Sequence, residues 1–232
     1  MAPSLPFFSR SSLSRKEGGV ISAAHHSAMR KRGRVLPREY TPVEYLQSSG
    51  TQYVDTGVVP SAGMEIGVKV QRTSNGSDWD GIVGSFNGDV EATGVAIRYN
   101  GTAGNKIAPT YGGRPSPAPS ITAGAVVELL LSEGEFAVDG VTTNTWTPDL
   151  SSLSAYPIFC FNVDLTGAPF NGRFLRGRIY YLWMKRNGKL VFDAIPVRNG
   201  STGYLYDFVS KSALGNAGSG SFTYGSDIDF NG

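Results

Sequence analysis

The sequence predicts an all-β protein, built as a two-sheet antiparallel sandwich or jelly roll that follows an extended N-terminal arm. Short segments of alternating polar and apolar residues are separated by turn signals about every eight to twelve residues, a spacing typical of sandwiches. The chain contains 30 glycines and 13 prolines among 232 residues, which favours many tight turns. No segment shows the periodicity of an amphipathic helix, and no run of 18 apolar residues could span a membrane.

The first element is a basic arm, residues 1–36, ahead of a domain at 37–232. Residues 1–34 hold seven lysines and arginines against one acid, Glu17, for a charge of +6; residues 35–232 hold 14 basic and 18 acidic residues, for −4. The arm is too polar to fold alone, so we expect it to order on a partner. The side chains predicted to anchor it are Phe7, Phe8, Arg30, Lys31, Arg32 and Arg34. No signal-peptide pattern is found, although the composition overlaps with organelle transit peptides.

The first half of the domain is predicted to contain one helical turn and several strands. "PVEYLQSSG" is interpreted as a helical turn ended by Gly50, and "TQYVDTG" as a strand. Met64–Thr73 alternates, which places Met64, Ile66, Val68 and Val70 on one face. "IVGSF" and "GVAIRYN" are predicted strands that flank a turn at Asn87–Asp89.

The second half is predicted to be two hairpins around a buried strand. Proline excludes a strand from Gly112–Ser120, whereas "AVVELLLSEGEFAV" forms a hairpin and "YPIFCFNVD" a buried strand. Asn187–Gly188 is a type I′ turn signal in "IYYLWMKRNGKLVFDAIPVR". Strict alternation puts Ile179, Tyr181 and Trp183 on one face of its first strand and Tyr180, Leu182 and Met184 on the other; apolar residues on both faces predict a strand covered on both sides.

Two motifs carry a resemblance to a known family. "EYTPVEYLQSSGTQYVDTG" at Glu39–Gly57 and the closing segment Gly177–Gly225 resemble the ends of a concanavalin A-like (laminin G-like) jelly-roll domain, and "FAVDG" at Phe136–Gly140 resembles its mid-domain turn. Such domains occur in tailed-phage virion proteins and gut bacterial surface proteins. The resemblance implies two packed antiparallel sheets but no particular function, because lectins, glycanases and structural modules share this fold.

Catalysis is not expected. A glycanase on this fold needs paired carboxylates facing one cleft, often as E-x-D-x-x-E, and the sequence lacks that run. Glu133 and Glu135 are interpreted as a solvated hairpin tip. The single cysteine, Cys160, is interpreted as a buried apolar residue, since the only histidines, His25 and His26, lie in the arm.

We expect no cofactor, with calcium as the alternative. Calcium requires several oxygen ligands from neighbouring loops, and the candidates Asp78, Asp80, Asn87 and Asp89 are close in sequence. The same residue types are also the usual turn formers.

Aromatic residues on predicted loops are the candidates for glycan binding. Trp79, Tyr111 and Trp146 lie beside polar or glycine residues, and aromatic rings stack on the apolar faces of sugars. Alternatively, these rings fold back onto the edge of the sandwich.

The function predicted from these features is a non-enzymatic structural protein of a phage virion: a capsid decoration, head-fibre or tail component assembled in the host cytoplasm. The arm would attach it to other virion proteins, and the chain would be a homo-oligomer within the assembly. Whether the arm contacts protein or nucleic acid stays open. The alternative is a carbohydrate-binding adhesion module that recognises host or mucus glycans.

Overall fold

The computed structural model describes residues 34–74, 79–88, 93–100, 105–116 and 119–229, without the side chain of Ser152. Residues 1–33 of the predicted arm lie outside this part, as do the arm residues Phe7, Phe8, Arg30, Lys31 and Arg32. A single turn of 3-10 helix covers Leu150–Ser152. The strands are β1 Thr41–Pro42, β2 Leu46–Ser49, β3 Val54–Asp55, β4 Met64–Arg72, β5 Gly81–Phe86, β6 Val95–Asn100, β7 Lys106–Tyr111, β8 Val126–Ser132, β9 Glu135–Val138, β10 Val141–Thr145, β11 Phe159–Cys160, β12 Asp164–Leu165, β13 Arg176–Arg186, β14 Lys189–Asn199, β15 Thr202–Asp207, β16 Ser212–Leu214 and β17 Thr223–Tyr224.

These strands form a sandwich of two sheets, as the sequence predicts. In the described residues, the large sheet has eleven strands in the order β10-β9-β8-β4-β13-β14-β15-β16, with β1 on β14, β2 on β13 and β17 on β2. The small sheet has six strands in the order β3-β11-β5-β6-β7, with β12 on β5. Neighbouring strands are antiparallel except for β12 and β5.

The core lies between the sheets and is filled largely by alternate residues of the longer strands, such as β4, β6 and β8. Met64, Ile66, Val68 and Val70 of β4 are all buried in it, which confirms the face predicted from their spacing. Alternate residues of β8 lie in the same cluster. The intervening residues of the large sheet face away from the core, and we call this side the outer face.

A β-bulge changes which side chains of β13 face the core. The pairing with β4 shifts register between Ile179 and Tyr181. As a result Ile179, Leu182 and Met184 share the core cluster, and Tyr181 and Trp183 face outward. The predicted strict alternation, which grouped Ile179 with Tyr181 and Trp183, is therefore wrong, because a bulge inserts one extra residue on one strand.

Two other predicted segments differ from the structure. "PVEYLQSSG" contains strands rather than a helical turn: Leu46 pairs with both β13 and β17, so its backbone is held by strands on either side. The predicted strand "YPIFCFNVD" is interrupted after Cys160, because Phe161 adopts a left-handed backbone with φ of 66°. The Asn187–Gly188 turn is confirmed, with φ of 48° and 76° at its two central residues.

The beginning and end of the domain close on each other. β17 pairs with β2, and the Ile228 amide donates to the Pro42 carbonyl at 3.0 Å. Arg198 donates two 2.7 Å hydrogen bonds to Asp227. In the part of the chain that the structure describes, no helix has the length and apolarity needed to cross a membrane.

Candidate functional site

Two of the three predicted glycan-binding aromatics meet at the edge of the sandwich, where they have structural contacts. Tyr111 is at the end of β7 and fully buried, so the expectation of an exposed loop ring is wrong. Its hydroxyl donates to the Ser61 carbonyl at 2.7 Å and accepts from the Met64 amide at 3.0 Å. Half-buried Trp146 donates from Nε1 to the Tyr111 carbonyl at 3.0 Å and packs against the core.

The third aromatic, Trp79, is separate and lies against cations. The Arg98 and Arg114 guanidinium groups lie 4.7 Å and 4.9 Å from the centre of its half-buried ring. Arg98 also lies 4.6 Å from the centre of the Phe86 ring, so Trp79 covers a buried arginine. These contacts occupy ring surface that a sugar would need.

The predicted calcium ligands are not assembled in the described residues. Asp78 and Asp89 lie outside them. Asp80 is buried in an ion pair with Arg72, at 3.0 Å between Oδ2 and Nη2, so its carboxylate balances a buried cation. No group of three His, Cys, Asp or Glu side chains within the described ranges is arranged to hold a metal ion.

The structure instead reveals a groove of about 400 Å³ on the outer face of the large sheet. It crosses β4, β8, β9, β10 and β13. Its floor is mostly apolar and its rim is mostly acidic and hydroxylic. The floor residues are Gly67, Leu130, Ala137, Tyr181 and Trp183, and the rim residues include Glu65, Glu128, Ser132, Glu133, Glu135 and Thr142. This volume falls in the usual range of ligand sites.

The floor of the groove depends on a glycine, Gly67, which has no side chain. Gly67 is the register partner of both Trp183 on β13 and Leu130 on β8. A Cβ at Gly67 would overlap the Trp183 indole, so the indole lies directly over the glycine backbone. The Lys185 ammonium lies 4.9 Å from the centre of the indole ring, and Trp183 is only 4% exposed. The indole is therefore fixed in place as part of the groove floor rather than a free ring.

The rim carboxylates differ in how they are held. Glu133 accepts a 2.7 Å hydrogen bond from the Gly63 amide, and Glu135 accepts one of 2.6 Å from the Thr142 hydroxyl. Glu65 lies 3.8 Å from Lys185. Within the described residues, the half-buried side chain of Glu128 makes no hydrogen bond or ion pair, so its oxygens are available to a ligand. Carboxylates of this kind accept hydrogen bonds from ligand hydroxyl groups.

Sequence reasoning missed this groove. Glu133 and Glu135 are exposed at the turn between β8 and β9, as expected, but both also contribute to the groove rim. The available signal was the outward set of β4, in which Glu65, Gly67 and Lys69 alternate with the predicted core residues. Its partners on β8 and β13 are far away in the sequence, so only the strand pairing brings them together.

Arg34, the last of the predicted anchoring residues of the arm, is bound beside this groove. Its guanidinium forms an ion pair with Asp193 on β14 and lies 5.2 Å from the centre of the Phe208 ring. Burial raises the pKa of Asp193 to about 6; Arg34 lowers that pKa and the nearby Asp207 carboxylate raises it. Arg34 thus partly compensates a carboxylate that burial disfavours in its charged form.

No protein-family model matches the chain, and no curated protein matches it. Among solved structures, it is similar to a proposed carbohydrate-binding protein from Bacteroides ovatus ATCC 8483, with a TM-score of 0.56 and 10% identity over 82% of this chain. The match spans 62% of that protein, which is less than two thirds of its length. At this identity the likeness establishes a shared β-sandwich fold, and the more specific concanavalin A-like relationship stays a prediction.

Proposed function

We propose that this domain is a carbohydrate-binding module and that the groove on the outer face of the large sheet is its binding site. The observation that carries the proposal is the combination of an apolar, aromatic floor with a carboxylate and hydroxyl rim in one groove. A sugar ring presents the matching chemistry: apolar C–H faces that pack on aromatic and aliphatic surface, and a rim of hydroxyl donors and acceptors.

The solved neighbour supports the same class of ligand. It is itself described as a proposed carbohydrate-binding protein, and it shares the sandwich over most of this chain. Because fold alone does not establish function, the ligand class proposed for this chain comes from the groove and its residues.

The test is glycan binding by the full chain and by the variant Glu128→Gln. The substitution keeps the shape of the side chain but removes the charge that strengthens a hydrogen bond to a ligand hydroxyl. We expect it to weaken binding roughly tenfold, which corresponds to about 1.4 kcal/mol. Isothermal titration calorimetry with glycans selected on an array measures the change.

Glu39→Gln is the matched control, because Glu39 is an exposed glutamate outside the groove. It should leave affinity unchanged. Equal effects of the two substitutions, or no binding to any glycan on a broad array, would contradict the proposal.

We further propose that the groove binds without catalysing hydrolysis. Glu133 and Glu135 are engaged by Gly63 and Thr142, which suits a structural role for both carboxylates. Release of reducing ends from a polysaccharide panel, abolished by Glu135→Gln, would contradict this.

That the protein is part of a phage virion, which would display such a module, stays a prediction. The arm residues on which it depends lie outside the described part of the chain, apart from Arg34. Detection of the chain in purified phage particles, with loss of incorporation when Phe7 and Phe8 are replaced by alanine, would support it.

A further inference from the structure

The N-terminal arm enters the domain on the outer face of the large sheet, one strand away from the groove. Trp183 in the groove floor is the register partner of Asp193, which binds Arg34. The adjacent pair, Leu182 and Ala194, lies in the core, so Trp183 and Asp193 project to the opposite side together. Arg34 therefore fixes the arm to the same face as the groove.

The chain before Arg34 is long enough to cross the groove. From β14 the path runs over β13 and β4 to β8, three strand spacings or about 14 Å. The four residues from Arg34 back to Arg30 span about 13–14 Å when extended. Arg30, Lys31 and Arg32 can therefore lie over Trp183, Gly67 and Leu130.

The charges of the arm and the groove are complementary. Arg30, Lys31 and Arg32 are consecutive basic residues. The described residues that line the groove include four glutamates, Glu65, Glu128, Glu133 and Glu135. Lys185 lies beside Trp183 and 3.8 Å from Glu65, so the other three carboxylates leave the groove with a net negative charge. A basic segment tethered beside an acidic groove has a high effective concentration there.

From these three observations we propose that Arg30–Arg32 of the arm binds in the groove of its own chain. The segment would place its basic side chains along the glutamate rim, and Arg34 would be the fixed point of the contact. In that state the arm covers the surface assigned above to carbohydrate, so arm and ligand would compete. The contact itself does not depend on the carbohydrate proposal, and the experiment below measures it without any glycan.

The test is disulfide trapping in the full chain. Met29→Cys with Ser132→Cys places one thiol five residues before Arg34, a reach of about 17 Å, and the other on the groove rim, about 16 Å from Asp193. The native Cys160 is fully buried and burial raises its thiol pKa, so it does not compete. The charged residues of the arm and the groove are unchanged.

The matched control pair is Met29→Cys with Ser210→Cys. Ser210 is exposed and lies closer to the Arg34 site, because its amide donates to Asp207, which also accepts from the Asp193 amide. It lies on the side of β14 away from the groove. An arm that samples all directions would therefore form the control disulfide at least as fast.

We expect the groove pair to form an intrachain disulfide roughly tenfold or more faster than the control pair, with the difference falling at high salt. Adding Arg30→Glu, Lys31→Glu and Arg32→Glu should abolish the difference. Equal rates for the two pairs, or a preference that survives this charge reversal, would overturn the proposal. Disulfide-linked dimers in place of the intrachain product would also overturn it, because the groove would then be filled by the arm of a second copy.

Discussion

Arginine side chains in this domain are held against aromatic rings and buried carboxylates. Arg72 forms its ion pair with Asp80 and lies 4.9 Å from the centre of the Tyr99 ring, and Arg34 combines Asp193 with Phe208 in the same way. A planar guanidinium can donate in its plane and stack on its faces at once, which lysine cannot do. The contacts with Asp193 and Phe208 therefore fix the orientation of the Arg34 guanidinium as well as balancing the charge of Asp193.

The raised pKa of Asp193 predicts that the contribution of the Arg34–Asp193 pair to stability depends on pH. The pKa of Asp193 is raised from 3.8 to about 6, so the folded chain binds this proton more tightly than the unfolded chain. The resulting contribution to stability is complete below pH 4 and is lost as the pH rises through 6. Above that pH Asp193 is charged and depends on Arg34 for compensation.

We therefore expect Arg34→Ala to lower the free energy of unfolding by about 1–3 kcal/mol at pH 8 and by little at pH 4.5. Urea unfolding at both pH values measures the difference. Arg38→Ala, at an exposed position, is the control and should have a small effect at either pH. A loss for Arg34→Ala that is the same at pH 4.5 and pH 8 would show that the side chain contributes packing and not charge.

At the scale of elements, the groove exists because β4 and β13 fit together at one glycine. Gly67 has no positive φ, so its identity is required by space and not by backbone conformation. We expect Gly67→Ala to displace the Trp183 indole and to lower stability by about 1–3 kcal/mol, as for other overpacked sites.

Thermal unfolding and tryptophan fluorescence measure this change. Gly215→Ala is a matched control, because its added methyl group would meet Tyr204 at an ordinary 3.5 Å. If Gly67→Ala is as stable as Gly215→Ala with an unchanged fluorescence spectrum, the indole does not depend on the glycine.

The same elements show how much the sequence could predict. The core face of β4 and the turn at Asn187–Gly188 follow from local patterns, because alternation and positive φ are properties of neighbouring residues. The bulge between Ile179 and Tyr181 depends on the pairing partner, so a strict alternation placed Ile179 on the wrong face. The groove could not be predicted for the same reason, since Glu65, Glu128 and Trp183 come from three strands that only the fold brings together.

At the scale of the molecule, the last segment of the chain closes the sandwich. β17 lies beside β2 at the edge of the large sheet, and the preceding residue, Phe222, enters the core. Its ring lies 4.9 Å from the ring of Phe161, which follows β11 of the small sheet. Phe222 therefore joins the two sheets where the first and last strands of the described domain meet. It also secures β2, whose other edge pairs with the groove strand β13.

Removing this ring should destabilise the whole domain. Phe222 is 4% exposed, so we expect Phe222→Ala to leave a cavity between the sheets and to cost about 3–5 kcal/mol. Phe170→Ala is the matched control: Phe170 is partly buried in a separate small cluster with Phe86, Ala96 and Val163, and its loss should cost about 1–2 kcal/mol. Chemical denaturation followed by far-ultraviolet circular dichroism measures both. Among the described strands, β17 pairs with β2, and β2 pairs with β17 and β13. The Phe222 variant should therefore lose amide protection first at Leu46 and Gln47. If hydrogen exchange instead shows a uniform loss of amide protection across both sheets, β17 and Phe222 unfold together with the rest of the core. They would then not form a separately stabilised segment.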